Sequence, residues 1–378
     1  MKVALVHDWL DTWAGGEQVL HEIAALYPGA PLFTLVDFFS PTLRAQLGHR
    51  VIHPSFIQRL PFARSSFRRY LALFPRAIES LDVSAFDLVV SSSHAVAKGV
   101  RTHERQLHIC YCFSPMRYAW DLRDQYLSQV GLDRGMRGHL AGRLLDRLAQ
   151  WDRRTSDRVD EFVAISQHIA QRIRRCYDRT AEVIYPPVTI AALDRPIARR
   201  NGLYVTVSRL VPYKRLDTIA AAFRMLPDRE LVIIGEGPER ARIEAAAGPN
   251  VRVAGQLDDT QRDELLAQAR AFVFAAEEDF GIAPIEAQAF GTPVIALRKG
   301  AVIETIAGLD SARPTGVFFD EPTPEAIVAA VRTFESNADR IDPQACRNNA
   351  ARFSTQRFRD EFAAFVADRY AAFRATVA

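Results

Sequence analysis

Short apolar runs alternate along this chain with longer segments in which apolar residues return every three to four positions. The first pattern suits strands buried on both faces of a parallel sheet, and the second suits helices laid against that sheet. In the first half, strands are predicted at residues 3–7, 87–91, 107–112 and 162–165, with helices at 17–26 and 167–177, the second N-capped by Ser166. A Pro-containing stretch at 184–188 and the polar residues 194–201 read as a linker. The pattern then restarts with strands at 203–207, 231–234, 251–253, 272–276 and 293–297 and helices at 216–225, 260–269 and up to 247 after the turn Gly235–Pro238. A last helical stretch, 355–373, holds more aromatics than a solvated tail needs and is expected to pack back on one of the domains. Two such arrays make an α/β protein with two doubly wound, Rossmann-like domains facing a central cleft.

The densest chemistry lies in Glu278-Asp-Phe-Gly-Ile-Ala-Pro-Ile-Glu286, which sets two carboxylates eight residues apart around a Phe-Gly turn. Pro284 suits the first position of a helix and Gly291 its C-terminal cap, so the helix is expected at 284–290. Glu278 then follows a strand, where open α/β sheets bind ligands, and Glu286 sits on the helix behind it. Two acids beside free backbone N–H groups suit a ligand with both hydroxyls and phosphates.

Three further segments are expected to converge there. Arg209 and Lys214, in Ser208-Arg-Leu-Val-Pro-Tyr-Lys-Arg215, offer a planar fork and a point charge suited to a diphosphate. Gly15 and Gly16 follow the first strand and let backbone N–H groups approach a phosphate or sugar closely. His94, in Ser91-Ser-Ser-His94-Ala-Val-Ala-Lys98, stands at a strand end, where it can meet a sugar hydroxyl or serve as a base; Glu17 is a weaker base candidate.

Composition narrows the class. With 378 residues, 48 basic and 45 acidic, the chain is large enough for two cores and close to neutral. It has no bilayer-spanning run, and residues 1–6 read as a strand rather than a signal peptide, so a cytoplasmic place on the inner face of the cell membrane is expected. The four cysteines do not form a disulfide framework; Cys110 and Cys112 alternate in a strand, one expected on each side of the sheet, and no zinc set accompanies them. Charge is uneven, however. Residues 53–78 carry arginines at 59, 64, 68, 69 and 76 and no acid, interleaved with apolar side chains that include Phe56, Ile57, Phe62, Phe67 and Phe74. A second basic stretch runs from Arg134 through Arg137, Arg143 and Arg147 to Arg158. Such a patch fits an anionic membrane surface, and no nucleic-acid module accompanies it.

Taken together these residues resemble the retaining glycosyltransferases of family 4, which have the architecture called GT-B. The resemblance rests on the two spaced glutamates, on the Arg209 and Lys214 pair, and on the Gly15-Gly16 turn. His-Asp-Trp-Leu at 7–10, Ser-Ser-His-Ala-Val-Ala-Lys-Gly at 92–99 and Pro-Met-Arg-Tyr-Ala-Trp-Asp at 115–121 look more narrowly like bacterial polysaccharide and O-antigen (lipopolysaccharide) mannosyltransferases. The chain departs from them at Phe113, where relatives often have His, and at Lys299, where a second glycine is common.

The resemblance implies an acceptor-side domain at 1–183 joined by a crossing helix at 355–378, a linker at 184–201 and a donor-binding domain at 202–354. It makes Arg209 and Lys214 the diphosphate clamp. Glu278 would hold the sugar hydroxyls and Glu286 the ribose diol, with backbone around Phe280, Gly281 and Ile282 on the sugar and phosphates. The expected reaction moves an α-mannosyl or D-rhamnosyl residue from a GDP-sugar to a lipid-linked or oligosaccharide acceptor. Fixed cations can stabilise the leaving diphosphate without a metal or other cofactor. A sugar-nucleotide 2-epimerase of the same architecture, or a transferase using a UDP-sugar, are the alternatives. A nicotinamide dehydrogenase is disfavoured, because neither first turn has the full Gly-x-Gly-x-x-Gly.

Overall fold

The computed structural model describes residues 1–48, 50–120, 127, 135–190, 193, 196–198 and 200–377, with backbone alone for 135–137. Asp121, Arg134, residues 191, 192, 194, 195 and 199 of the expected linker, and the Arg137 side chain lie outside the described residues. The chain forms two units, Met1–Pro187 with Phe358–Ala378, and Val188–Arg357.

The first unit holds a seven-stranded sheet, in the order β3-β2-β1-β4-β5-β6-β7. Its strands are β1 (Val3–His7), β2 (Leu32–Thr34), β3 (Ile52–Pro54), β4 (Leu88–Ser93), β5 (Leu107–Cys112), β6 (Glu161–Ala164) and β7 (Glu182–Val183). Every pairing is parallel. All residues of β4 and β5 are buried, as central strands covered on both faces require. The second unit's six strands are β8 (Tyr204–Val207), β9 (Leu231–Ile234), β10 (Val251–Gly255), β11 (Ala271–Phe274), β12 (Val294–Leu297) and β13 (Gly316–Phe319), in the parallel order β10-β9-β8-β11-β12-β13. In each sheet the chain winds outward one way and then jumps back, between β1 and β4 and between β8 and β11. Those reversals open crevices at the carboxyl ends of the strands.

The last helix, Thr355–Val377, buries Phe358, Phe362 and Val366. Phe358 and Phe362 meet Tyr111 edge-on at 5.6 and 5.9 Å, so this part of the helix is core of the first unit. Beneath the sheet of that unit, Lys98 and Asp152 form a fully buried ion pair at 3.0 Å. Trp120 Nε1 and the Tyr177 hydroxyl donate to Asp152 Oδ2 at 2.8 and 2.7 Å, while Oδ1 is the oxygen that faces Lys98. Cys110 and Cys112, both buried in β5, lie on one face of it, because residues two apart in a strand point the same way; this corrects the expectation of one on each side.

The Arg-rich segment is also redrawn. Ile57, Phe67, Phe74 and Ile78 are core residues rather than surface ones, while Phe56 and Phe62 stay exposed. Apolar side chains in short helical turns serve whichever face the turn packs on, and composition does not show that face.

Candidate functional site

In the second unit the site is built around the reversal between β8 and β11. Beyond β8 the chain stays extended, with Ser208 N–H donating to Ile234 O at 3.0 Å and Leu210 N–H to Glu236 O at 2.8 Å. This continuation is possible because Gly235 has no side chain: a Cβ there would stand 1.9 Å from Ser208 O. Arg209 is thereby carried past the strand end with its side chain exposed, donating from Nη2 to the Tyr213 hydroxyl at 3.2 Å. The turn Pro212–Lys214 follows, and Arg215 at φ 55 redirects the chain into the helix Leu216–Arg224.

Lys214 and Glu278 meet in a half-buried ion pair, so the structure brings these two predicted residues together. Lys214 Nζ also lies 5.3 Å from the Tyr213 ring centre and 5.9 Å from that of Phe274. On the other side Glu278 is held through its backbone, by a bridge to Gly300 and by Ala301 N–H donating to Glu278 O at 2.9 Å. A Cβ at Gly300 would lie 2.4 Å from that oxygen, and φ there is +74. Glycine at 300 is therefore a steric requirement, with or without a second glycine at 299.

The helix that follows spans Ile282–Ala289 and has Gly281, at φ 83, as its N-cap. Pro284 is its third residue rather than its first, because left-handed Gly281 starts the helix two residues earlier. No side chain caps this end, so the N–H groups of the first turn are oriented outward as donors. Gly291, at φ 81, follows the helix as expected of a terminating glycine. Phe280 is buried and meets Phe353 at 5.7 Å, so its ring is core and only its backbone is offered to a ligand. The helix is braced from below by Gln288 Nε2, which donates to Thr305 O at 3.0 Å, and by Asn349 Nδ2, which donates to Gln288 Oε1 at 2.7 Å.

Glu286 is half-buried on this helix. Burial pushes its carboxyl above the ordinary range; Arg262 opposes the rise, and Asp263 and Asp259 add to it. Arg262, which sequence reasoning passed over, is held by Asp259 and Asp263 at 2.8 Å each.

Gly15, Gly16 and His94 belong to the first unit, where they gather at the reversal between β1 and β4. The helix Gly15–Leu26 begins with the two glycines, and Glu17 Oε2 accepts from Ala14 N–H at 2.9 Å to close its first turn. Neither Gly15 nor Gly16 has a positive φ, so their freedom is steric, with Phe113 lying 3.7 Å from where a Gly16 Cβ would be.

The residue that organises this end is Asp8, which stands out in the sequence only as one member of His-Asp-Trp-Leu at 7–10. Its fully buried carboxylate accepts from the backbone N–H groups of His94, Ala95, Val96 and Ala97 at 2.6, 3.0, 2.6 and 2.7 Å. It also faces His94 Nδ1 at 3.0 Å. A proton on Nδ1 satisfies that contact and leaves Nε2 of a neutral ring as an acceptor. Burial pulls the His94 pKa down; Asp8 and Glu17 oppose this, while His7 and Arg117 add to it. Trp9 stands edge-on to the imidazole at 4.6 Å. Behind it, His7 Nε2 lies 3.5 Å from Glu17 Oε1. Burial works to raise Glu17, but His7 and the N–H groups of Ala14 and Glu17 outweigh it and hold the carboxyl below its usual range. The signal for Asp8 is its position one residue past a strand that borders the reversal.

Among the described residues no group of three His, Cys, Asp or Glu side chains is placed to hold a metal ion, and no helix is long and apolar enough to cross a membrane.

Comparison with known proteins fits this division. Residues 194–353 match the family model described as glycosyl transferases group 1. A GDP-mannose-dependent alpha-(1-6)-phosphatidylinositol dimannoside mannosyltransferase of Mycobacterium tuberculosis is 37% identical over 147 residues, which is 38% of this chain and 37% of that protein. A GDP-mannose-dependent monoacylated alpha-(1-6)-phosphatidylinositol monomannoside mannosyltransferase of Corynebacterium glutamicum is 29% identical over 200 residues, 45% of this chain and 52% of that protein. The chain thus spans about two fifths to one half of the length of these relatives. Over nearly the whole chain, similar folds are found in sucrose-phosphate synthase from Thermosynechococcus elongatus (TM-score 0.69, 17% identity, 98% of this chain and all of that one) and in Anabaena HepE in complex with UDP (TM-score 0.67, 17% identity, 97% of this chain and all of that one). The chain therefore has the two-domain fold called GT-B, and residues 194–353 match the model described as glycosyl transferases group 1.

Proposed function

We propose that this chain is a retaining glycosyltransferase. On this reading it moves an α-mannosyl residue, or a related sugar such as D-rhamnose, from a GDP-sugar to a lipid-linked glycan of a bacterial surface polysaccharide. The observation that carries the reading is the Lys214–Glu278 pair, set where β8 and β11 part, beside an uncapped helix start. A diphosphate brings more negative charge than one carboxylate. It would draw Lys214, with Arg209, onto its oxygens and free Glu278 for the hydroxyls of the sugar. The N–H groups at the start of Ile282–Ala289 supply further donors, and Glu286 is the acceptor for the ribose diol. The mannosyl donor and the lipid acceptor are supported by the two mannosyltransferases above, which are GDP-mannose-dependent and act on phosphatidylinositol mannosides.

In the reaction, the bond between the anomeric carbon and the diphosphate oxygen breaks while that carbon bonds to the acceptor oxygen on the same face. The acceptor's proton passes to the departing oxygen. Arg209 and Lys214 stabilise the charge that builds on the diphosphate, the role in which fixed cations contribute most. With these cations in place no metal is called for, and activity should persist in EDTA.

One observation favours a second course. His94, neutral and oriented by Asp8, has the arrangement of a general base, which an inverting transferase would need. Product stereochemistry separates the two. A thermal-shift panel of GDP-, UDP- and ADP-sugars identifies the donor, and turnover with lipid-linked glycans followed by NMR of the anomeric proton and carbon gives the linkage. An α-mannoside formed from GDP-mannose is expected. A β-mannoside overturns retention, stronger stabilisation by UDP overturns the donor, and conversion of the sugar nucleotide without acceptor points to the epimerase.

A further inference from the structure

Residues 53–78 of the first unit contain five arginines and no acid, and all five side chains are exposed. The segment is rigidly seated, because Ile57, Phe67, Phe74 and Ile78 are buried in the core. Two of its aromatic rings are left outside: Phe62 is 80% exposed and Phe56 42%. Phe62 sits at φ 56, a left-handed conformation that residues with a side chain rarely adopt. Tyr70 holds this tip by donating to Pro61 O at 2.6 Å, which brings Phe62 next to the Arg69–Tyr70 turn. Arg68 is engaged, bonded to Asp11 at 2.8 Å and stacked over Phe67 at 4.5 Å. Arg59, Arg64, Arg69 and Arg76 make no ion pair among the described residues.

We propose that this segment docks on an anionic lipid bilayer, with the Phe62 and Phe56 rings at the boundary between headgroups and acyl chains and the four free arginines against lipid phosphates. A polyanion alone would use the arginines and leave the rings in water; an apolar protein groove would take the rings and strand the arginines. An anionic interface accommodates both, since basic residues near such a surface and apolar side chains dipped into it each favour binding. This inference stands independently of the transferase reading.

The test is flotation of the purified protein with phosphatidylcholine vesicles, with and without phosphatidylglycerol. Binding is expected only with the phosphatidylglycerol vesicles, and it should weaken as salt is raised. Arg59→Glu, Arg64→Glu and Arg69→Glu together should lower the partition coefficient by about 100-fold or more, and Phe62→Ser alone by roughly 10-fold. Circular dichroism melts matching the parent show that these surface variants fold. Equal flotation with neutral vesicles, no flotation with either, or a folded triple variant that partitions like the parent would each overturn the proposal.

Discussion

Lys214 and Glu278 are half-buried partners that, on the proposed reading, a diphosphate would part, so Lys214 and Arg209 should respond differently to removal. Arg209→Ala and Lys214→Ala are both expected to lower kcat by roughly 10²–10³-fold, the effect of losing one charge-stabilising donor. Thermal melts should distinguish them. Arg209 is exposed and its loss should leave Tm nearly unchanged, whereas Lys214→Ala strands a partly buried carboxylate and should lower Tm measurably. Parent-like kinetics in both variants would sink the clamp. At this scale, Glu278 and Lys214, which the structure pairs, were legible as candidates because charged residues placed beyond apolar strands are conspicuous. Asp8 was not, because its importance lies in four backbone N–H groups more than eighty residues away that only folding brings to it.

At the level of elements, the helix Gln167–Tyr177 shows how local signals work. Ser166 Oγ accepts from Ile169 N–H at 3.1 Å at its start, as the sequence indicated. At its end Asp178 adopts φ 56, the position where glycine is favoured, and its carboxylate faces the negative end of the helix dipole. Its exposed contact with Arg174, at 3.7 Å, offsets little of this. Asp178→Gly should therefore stabilise the protein by about 0.5–1 kcal/mol, read as a rise in the urea midpoint at unchanged m-value; a fall would show that the carboxylate has an unrecognised partner. The strands that escaped sequence reading are β2, β3, β7 and β13, of three, three, two and four residues. Runs of two or three residues carry too few positions for a period to show; β13 is as long as β8 and β9, which were read, so its length does not explain its being missed.

For the whole molecule, pH acts through buried histidines. His108 is fully buried, with Nδ1 3.0 Å from Arg158 O and Nε2 2.8 Å from the Ser91 hydroxyl. Burial lowers its pKa to about 4, with the Arg158 carbonyl opposing and the charges of Lys98 and Arg158 assisting. Below its unfolded pKa of about 6.5 the unfolded chain binds a proton that the native chain refuses, so stability falls as the pH drops from there toward the folded value. Between pH 7 and about pH 5 this one group should cost roughly 2 kcal/mol, and His94, also lowered, acts in the same direction. Asp160 and Glu286 have raised pKa values and act oppositely, gaining native-state protons as the pH falls through them. Urea unfolding of the parent and of His108→Gln at the two pH values should show a smaller loss in the variant; an equal loss would assign the acid sensitivity elsewhere.

The sequence by itself determined the alternating βα pattern, the central strands and the identity of the charged residues that follow them. These are local properties: apolar runs of strand length, helical periodicity, a cap, a glycine past a helix end. Tertiary structure alone decided the strand orders, and with them the two reversals at which the candidate residues collect. It also turned Lys98 inward to Asp152 while leaving its motif neighbour His94 at the surface of the site, and it divided the aromatics of residues 53–78 between core and solvent. Each of these depends on which face of an element meets another element far away in the chain, and that is settled by packing rather than by any property of neighbouring residues.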